Sequence, residues 1–361
     1  MRHKTMIKYI GSKRTLLPVV LRAVDAVPDA ATVLDLFSGT SRVGHALKGA
    51  GYRVLANDHN TYAATLARCY VAADRDRLER DANKLIAELD ALPGEPGWFT
   101  QTYCEQARFF QPHNGARVDA IRDAIAAKEL EPELEAVLLV SLMEAADRVD
   151  STCGLQMAFL KQWATRSHKP MRMRLPDILP QAARGKGEAH QREALDAARE
   201  LEVDVAYLDP PYNQHSYLSN YHVWESLVLW DKPEVYGLAQ KRVDCRTRKS
   251  PFNSKRKFHA ALTEIIAAVR AKVLLVSFNN EGYIDRPQME ALLSTRGRVT
   301  VLSHDYKRYV GAQIGIYNPS GEKVGAVSHL RNLEYLYVVE TEGHEGRVAL
   351  EVEEAPQEAS E

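Results

Sequence analysis

Long apolar runs are missing from this chain. Nothing in its 361 residues approaches the roughly 20 consecutive apolar residues that a bilayer-spanning helix requires. The opening Met1-Arg2-His3-Lys4 lacks the apolar core of a secretory signal, so the expectation is a cytoplasmic protein without a membrane partner. Cysteine is sparse: Cys69, Cys104, Cys153 and Cys245 are scattered with no CxxC spacing. That argues against a disulfide framework or a zinc cluster, and no metal is expected. No internal repeat is visible. An excess of positive charge is also lacking, at a formal net charge of −1. That average hides a segregation, because residues 342–361 carry seven glutamates against one arginine. This end, closing in EVEEAPQEASE, reads as a disordered acidic tail, and the chain ahead of it is basic.

What is present is an ordinary globular balance, 45% hydrophobic and 26% charged, enough for one large domain or two smaller ones. The most informative stretch is Asp209-Pro210-Pro211-Tyr212. It follows an apolar run, Val203 to Leu208, that reads as a buried strand. Consecutive prolines end a strand because they donate no N–H and fix φ. A carboxylate, stiff carbonyls and an aromatic ring are left at the strand's carboxyl end, where open α/β sheets bind ligands. That set suits a planar amine, its NH2 held by acceptors and its ring stacked. The plainer alternative is a Pro-Pro turn with a capping aspartate.

Upstream, TVLDLFSGTSRVGHALKGAGYRVLANDHN reads as a βαβ unit: a strand from Val33 to Phe37, a turn at Gly39, a helix from Ser41, and a second strand from Tyr52 to Ala56. Asp35 falls near the end of the first strand and Asp58 just beyond the second. An acid about 20 residues after a glycine turn is placed for ribose hydroxyls. The loop lacks the remaining glycines of a dinucleotide fingerprint and has no Walker lysine. A nucleoside-bearing cofactor without a phosphate to cradle fits it better than NAD or ATP. Near the N-terminus, Lys8-Tyr9-Ile10-Gly11-Ser12-Lys13 forms a turn before a helical pattern from Leu16 to Val27. Lys13 there either pairs with an anion or lies on a plain surface loop.

From about Arg75 to Arg184 apolar residues recur every three or four positions, which predicts helices. The expected organisation is an α/β domain of residues 1–75 and 190–341, with 76–189 a mainly helical insertion. Two basic stretches stand out. One holds Lys161, Arg166, Lys169, Arg172 and Arg174 around a tryptophan and a histidine. The other holds eight Lys or Arg and one Asp between Lys241 and Lys257, including Arg246, Arg248, Lys249, Lys255 and Arg256. Phosphate contact and a solvated basic face compete for the first; for the second, which reads as an exposed loop, phosphate contact is favoured. Towards the end, RVTVLSHDYKRYV and LEYLYVVE read as an antiparallel pair at the sheet's edge.

In this order, KYIGSK, DLFSGT, the acid of LANDHN, DPPYN, SNYHVWE, SFNNEG and RNLEYL together resemble the DNA adenine-N6 methyltransferases of the Dam type, whose motifs run in the alpha order. The similarity is strongest to the branch containing the FokI modification enzyme. The resemblance implies a Rossmann-like methyltransferase sheet, S-adenosylmethionine as cofactor, and double-stranded DNA as partner. It implies cofactor contacts from Tyr9, Lys13, Asp35, Phe37, Gly39, Thr40, Asp58 and Asp209, and a catalytic tetrad of Asp209, Pro210, Pro211 and Tyr212. It places target recognition in the helical insertion. The family's acid near the cofactor adenine has only Glu188 as a counterpart. The enzyme is expected to act as a monomer, with or without a cognate restriction endonuclease. No cysteine follows a proline, which disfavours cytosine-C5 methylation. Cytosine-N4 or RNA amino-methylation, and a catalytically silent DNA-binding regulator, are the competing readings.

Overall fold

The computed structural model describes residues 6–11, 13–280, 282–307, 316–317, 323–325 and 331–348, with backbone alone for 304–307, 316–317, 323–325 and 331–333. Seven strands form one sheet: β1 (Thr32–Asp35), β2 (Arg53–Asn57), β3 (Glu188–His190), β4 (Glu202–Leu208), β5 (Arg270–Asn279), β6 (Gly297–Lys307) and β7 (Arg331–Thr341). Their spatial order is 3-2-1-4-5-7-6. The first five run parallel, and β7 lies antiparallel between β5 and β6. This is the Rossmann-like sheet expected from the sequence. The terminal pair is antiparallel as expected, but only β6 is an edge; β7 is interior.

Period-2 patterning explains the central strands. From Val205 to Leu208 of β4, Val205 and Tyr207 enter one apolar layer while Ala206 and Leu208 enter the other. In β5, Val273 and Leu275 alternate in the same way with Leu274 and Val276. Both faces are covered, so these strands read as nearly continuous apolar runs. Helices α1 (Leu17–Asp25) and α2 (Arg42–Gly49) cover one face. On the other lie Ala194–Glu200, Lys255–Ala268 and Arg286–Leu293.

Between β2 and β3 the chain forms Thr61–Ala67 and then the helices Arg75–Asp90, Pro112–Ala126 and Pro132–Asp147. Their apolar faces share a third core with Tyr62, Leu66 and the segment Tyr221–Val228 that follows the tetrad. The helical expectation holds to Asp147. Beyond it the chain is mostly irregular and packs back on the helices: Met171 N donates to Asn114 Oδ1 (2.8 Å) and Met173 N to Asp90 Oδ1 (2.9 Å). Among the described residues no helix is long and apolar enough to cross a membrane. Residues 342–348 of the expected tail are placed, with Arg347 N and Val348 N donating to Glu340 Oε1 at 2.8 and 2.9 Å. Residues 349–361 lie outside the described residues.

Candidate active site

At the carboxyl ends of β1, β2 and β4 a cavity opens, lined among others by Tyr9, Lys13, Asp35, Phe37, Gly39, Thr40, Asp58, Asp209 and Pro211. The turn after β1 builds its floor. Gly39 has φ +50° and Ser41 +59°, so the backbone twice enters the left-handed region before α2 begins. A Cβ on Gly39 would sit 3.3 Å from the Tyr9 ring; glycine is needed there for both space and conformation. Tyr9 stacks on Tyr221 (centroids 4.4 Å, 12°) and Tyr217 (5.2 Å, 10°), which fixes its ring over the loop.

The carboxylates divide by partner. Asp58 Oδ2 accepts from Gly39 N (3.1 Å) and Oδ1 from Asn60 N (2.9 Å), tying the acid after β2 to the glycine turn. Burial raises its pKa, against the lowering influence of His59 and those two N–H groups. Asp35 is 1% exposed and accepts from Gly44 N of α2 at 3.1 Å. Burial pushes it up to about 7, with further raising by Asp209 and Asp58. It therefore fastens α2 to β1 as well as lining the cavity. Phe37 packs edge-on against Phe252 (5.2 Å, 78°).

Asp209 stands where the prolines end β4. Burial pushes its carboxyl up to about 6, Lys13 pulls it down and Glu334 raises it. Lys13 is buried, not on a surface loop: its Nζ lies 3.1 Å from Asp209 Oδ1 and also donates to Glu334 Oε1. Burial alone would lower the Lys13 pKa; Asp209, Tyr212 and Glu334 outweigh it and raise it. Pro210 is buried and Tyr212 half-buried. The Tyr212 ring meets Phe278 edge-on at 5.3 Å, and its hydroxyl accepts from Asn279 Nδ2 at 3.0 Å. Asn279 and Glu334 are directly paired across β5 and β7, so one ladder step holds Tyr212 with one side chain and Lys13 with the other. Sequence reasoning assigned roles to neither, although both lie in matched segments, SFNNEG and RNLEYL.

Other expectations separate. Glu188 does not line the cavity; it pairs with Arg53 and lies 3.2 Å from His190. Arg192, Glu193, Ala194 and Leu195, just beyond β3, line it instead. None of the four cysteines does. The Lys241–Lys257 stretch is not wholly an exposed loop. Arg242 is 4% exposed, bonded to Asp231 and Asp244, and Lys255 starts a helix. Arg248 lines the cavity and reaches the buried Glu225 (3.0 Å), which also accepts from Tyr62 N. Arg246 stacks on Tyr236 (3.9 Å), and Lys249 donates to Cys245 O. Arg166 grips Asp150 and the Thr152 carbonyl, while Arg172 lies 3.4 Å from Asp90. Lys161, Arg174, Lys255 and Arg256 are exposed.

Residues 9–274 match the family model of the D12 class N6 adenine-specific DNA methyltransferases. The type II methyltransferase M.NlaIII of Neisseria lactamica is 27% identical over 348 residues, 92% of this chain and 99% of that protein. Modification methylase StsI of Streptococcus sanguinis is 29% identical, over 84% of this chain and 49% of that one. M.FokI of Planomicrobium okeanokoites is 30% identical, over 81% and 47% respectively. The chain thus spans nearly all of the first relative and about half of the other two.

Proposed function

The chain belongs to the D12 class of N6 adenine-specific DNA methyltransferases, and from that membership we propose that it uses S-adenosylmethionine to methylate a flipped adenine in double-stranded DNA at a specific sequence. It does so as the modification partner of a restriction endonuclease or alone. The observation that carries this reading is Asp209, held by Lys13 at the mouth of the cavity between the proline pair and the Gly39 turn.

The residues present fit the cofactor. Ser38 Oγ and Asn60 Oδ1 are buried in the cavity wall without a partner among the described residues, which is costly unless a ligand satisfies them. Asp58 retains acceptor capacity for ribose hydroxyls, since a carboxylate offers about four lone-pair sites. Tyr9, Phe37, Gly39 and Thr40, which line the same cavity, would help to hold the cofactor. Bound there, S-adenosylmethionine supplies a methyl group on a sulfonium, whose departure leaves a neutral thioether.

The protein's part is to prepare the nitrogen. An adenine amino group is a poor nucleophile because its lone pair is delocalised into the ring. Asp209 and the Pro210 carbonyl accept hydrogen bonds from its two N–H groups, which localises that pair and aims it at the cavity. The nitrogen gains a methyl and gives up one proton, which Asp209 takes and passes to water. Tyr212 stacks on the base, offsetting part of the few kcal/mol that unstacking costs. Residues 76–189 form the target-recognition region, and 1–75 with 190–341 the catalytic domain. The exposed Lys255, Arg256 and Lys257 open a helix with no acid in its first turn, an arrangement that favours a phosphate there.

Modified-base sequencing of DNA from a methylation-free host tests the proposal, with wild type and Asp209→Ala side by side. N6-methyladenine at one short motif, reduced at least about 100-fold in the variant, is the expected result. Wild-type DNA free of the modification would defeat it.

A further inference from the structure

We infer that Glu334 is a positioning residue for methyl transfer, holding the Lys13 ammonium on Oδ1 of Asp209 so that Oδ2 stays available to the substrate amino group. The inference rests on the reading of Asp209 as acceptor. Its geometric basis is a buried relay of three charges. The Lys13 and Glu334 side chains are each 7% exposed and Asp209 is 19% exposed. Glu334 Oε1 accepts from Lys13 Nζ and from Ser277 Oγ, the latter at 3.1 Å. Ser277 and Asn279 are alternate residues of β5 and so share a face, and the antiparallel pairing puts Glu334 opposite Asn279 on that face.

A lysine ammonium is a compact charge with three rotatable donors on a flexible stem. Facing Asp209 alone, it is free to bridge both oxygens or swing into the cavity, in either case competing with the adenine amine. A second buried carboxylate behind it removes that freedom. Glu334 also alters the charge balance: one ammonium serves two carboxylates, so Asp209 remains a better proton acceptor than a simple Lys–Asp pair would allow. The opposing influences on Asp209, downward from Lys13 and upward from Glu334, agree with this. Among the described residues, the other titratable groups around Asp209 are Asp35 on β1, Tyr207 on β4, Tyr212 within the tetrad and Tyr217 beyond it. Glu334 is distinguished from them by its direct bond to Lys13.

The test compares wild type and Glu334→Gln in single-turnover methylation of DNA bearing the sequenced motif, from pH 5 to 9, with cofactor affinity from calorimetry. The glutamine keeps the shape and one acceptor but loses the charge. The expected result is a rate reduced roughly 100-fold, as for a misplaced reacting group. The acid limb of the profile should move to lower pH, because a charge that raises Asp209 is gone, and the S-adenosylmethionine affinity should be little altered. In a Lys13→Met background the same substitution should add almost nothing, since Glu334 acts through Lys13. A wild-type rate with an unmoved acid limb, or an equal loss in both backgrounds, would overturn the inference. If Glu334→Gln does not fold, Ser277→Ala, which removes the other donor to Glu334, must show the same direction of change; unchanged kinetics in that folded variant would overturn it too. A wild type that methylates no adenine would instead sink the enzymatic reading, and this one with it.

Discussion

Charge is handled in opposite ways at the carboxyl edge of the sheet and on the basic surface. At the edge, Lys13, Asp209 and Glu334 come from three distant segments into one buried group whose members fix one another. On the surface, positive residues are dense in sequence but divided in space. Arg166, Arg242 and Arg248 are bound to Asp150, Asp231 and Glu225. Lys255 and Arg256 point outward with no partner among the described residues. A buried ion pair contributes little net stability against residues of similar shape, yet breaking one is severe; an exposed pair is worth about 0–1 kcal/mol. The edge cluster is therefore a device for position, and the surface charges differ according to whether the fold has already claimed them.

The sharpest way to break this contrast is Lys13→Met. It leaves the half-buried Asp209 and the buried Glu334 without their shared cation, and should slow methyl transfer severely while leaving a residual single-turnover rate, and cost about 3 kcal/mol of stability in urea denaturation. The sign with pH is distinctive. The deficit should be largest above pH 7 and shrink towards pH 5, because Asp209 then takes a proton and the mutual repulsion fades. A pH-independent deficit would mean the cluster is not ionised as described. Next in size is Gly39→Ala. A left-handed backbone costs a side-chain-bearing residue about 1–2 kcal/mol, and the new Cβ presses on Tyr9. Weaker S-adenosylmethionine binding in calorimetry, with the tetrad intact, is the expected readout. The smallest effect sharpens the surface side. Replacing Lys255 and Arg256 by Ala should flatten the salt dependence of DNA binding by about 0.9 in slope for each phosphate no longer neutralised. Arg166→Ala should leave the slope unchanged and lower the melting temperature instead, since its guanidinium already holds the 150–152 turn.

The legible part of the molecule was the part written locally. Alternating Val and Leu gave the parallel strands, the paired prolines ended β4 at Asp209, and glycine spacing marked the turn beneath Tyr9. Two kinds of information were not local. The burial of Lys13 has no signature in KYIGSK; it follows from β7 lying against β5, which brings Glu334 within reach. Likewise Asn279 becomes a Tyr212 ligand only through the register that sets it opposite Glu334. The surface reading erred in a related way. Eight basic residues in a run suggested one exposed loop, but Asp231, eleven positions before Arg242, draws that arginine inside.

The interior place of β7 has a consequence for assembly. Lys13 and Glu334 are 321 positions apart, and closing so long a loop comes late in folding. A chain emerging from the ribosome displays the glycine turn and the DPPY tetrad well before the strand that fastens Lys13 arrives between β5 and β6. A nascent or truncated polypeptide lacking that strand carries the signature motifs but not the Glu334 carboxylate that holds Lys13. On the reading proposed for Asp209, its lysine partner is fully held only once the sheet is complete.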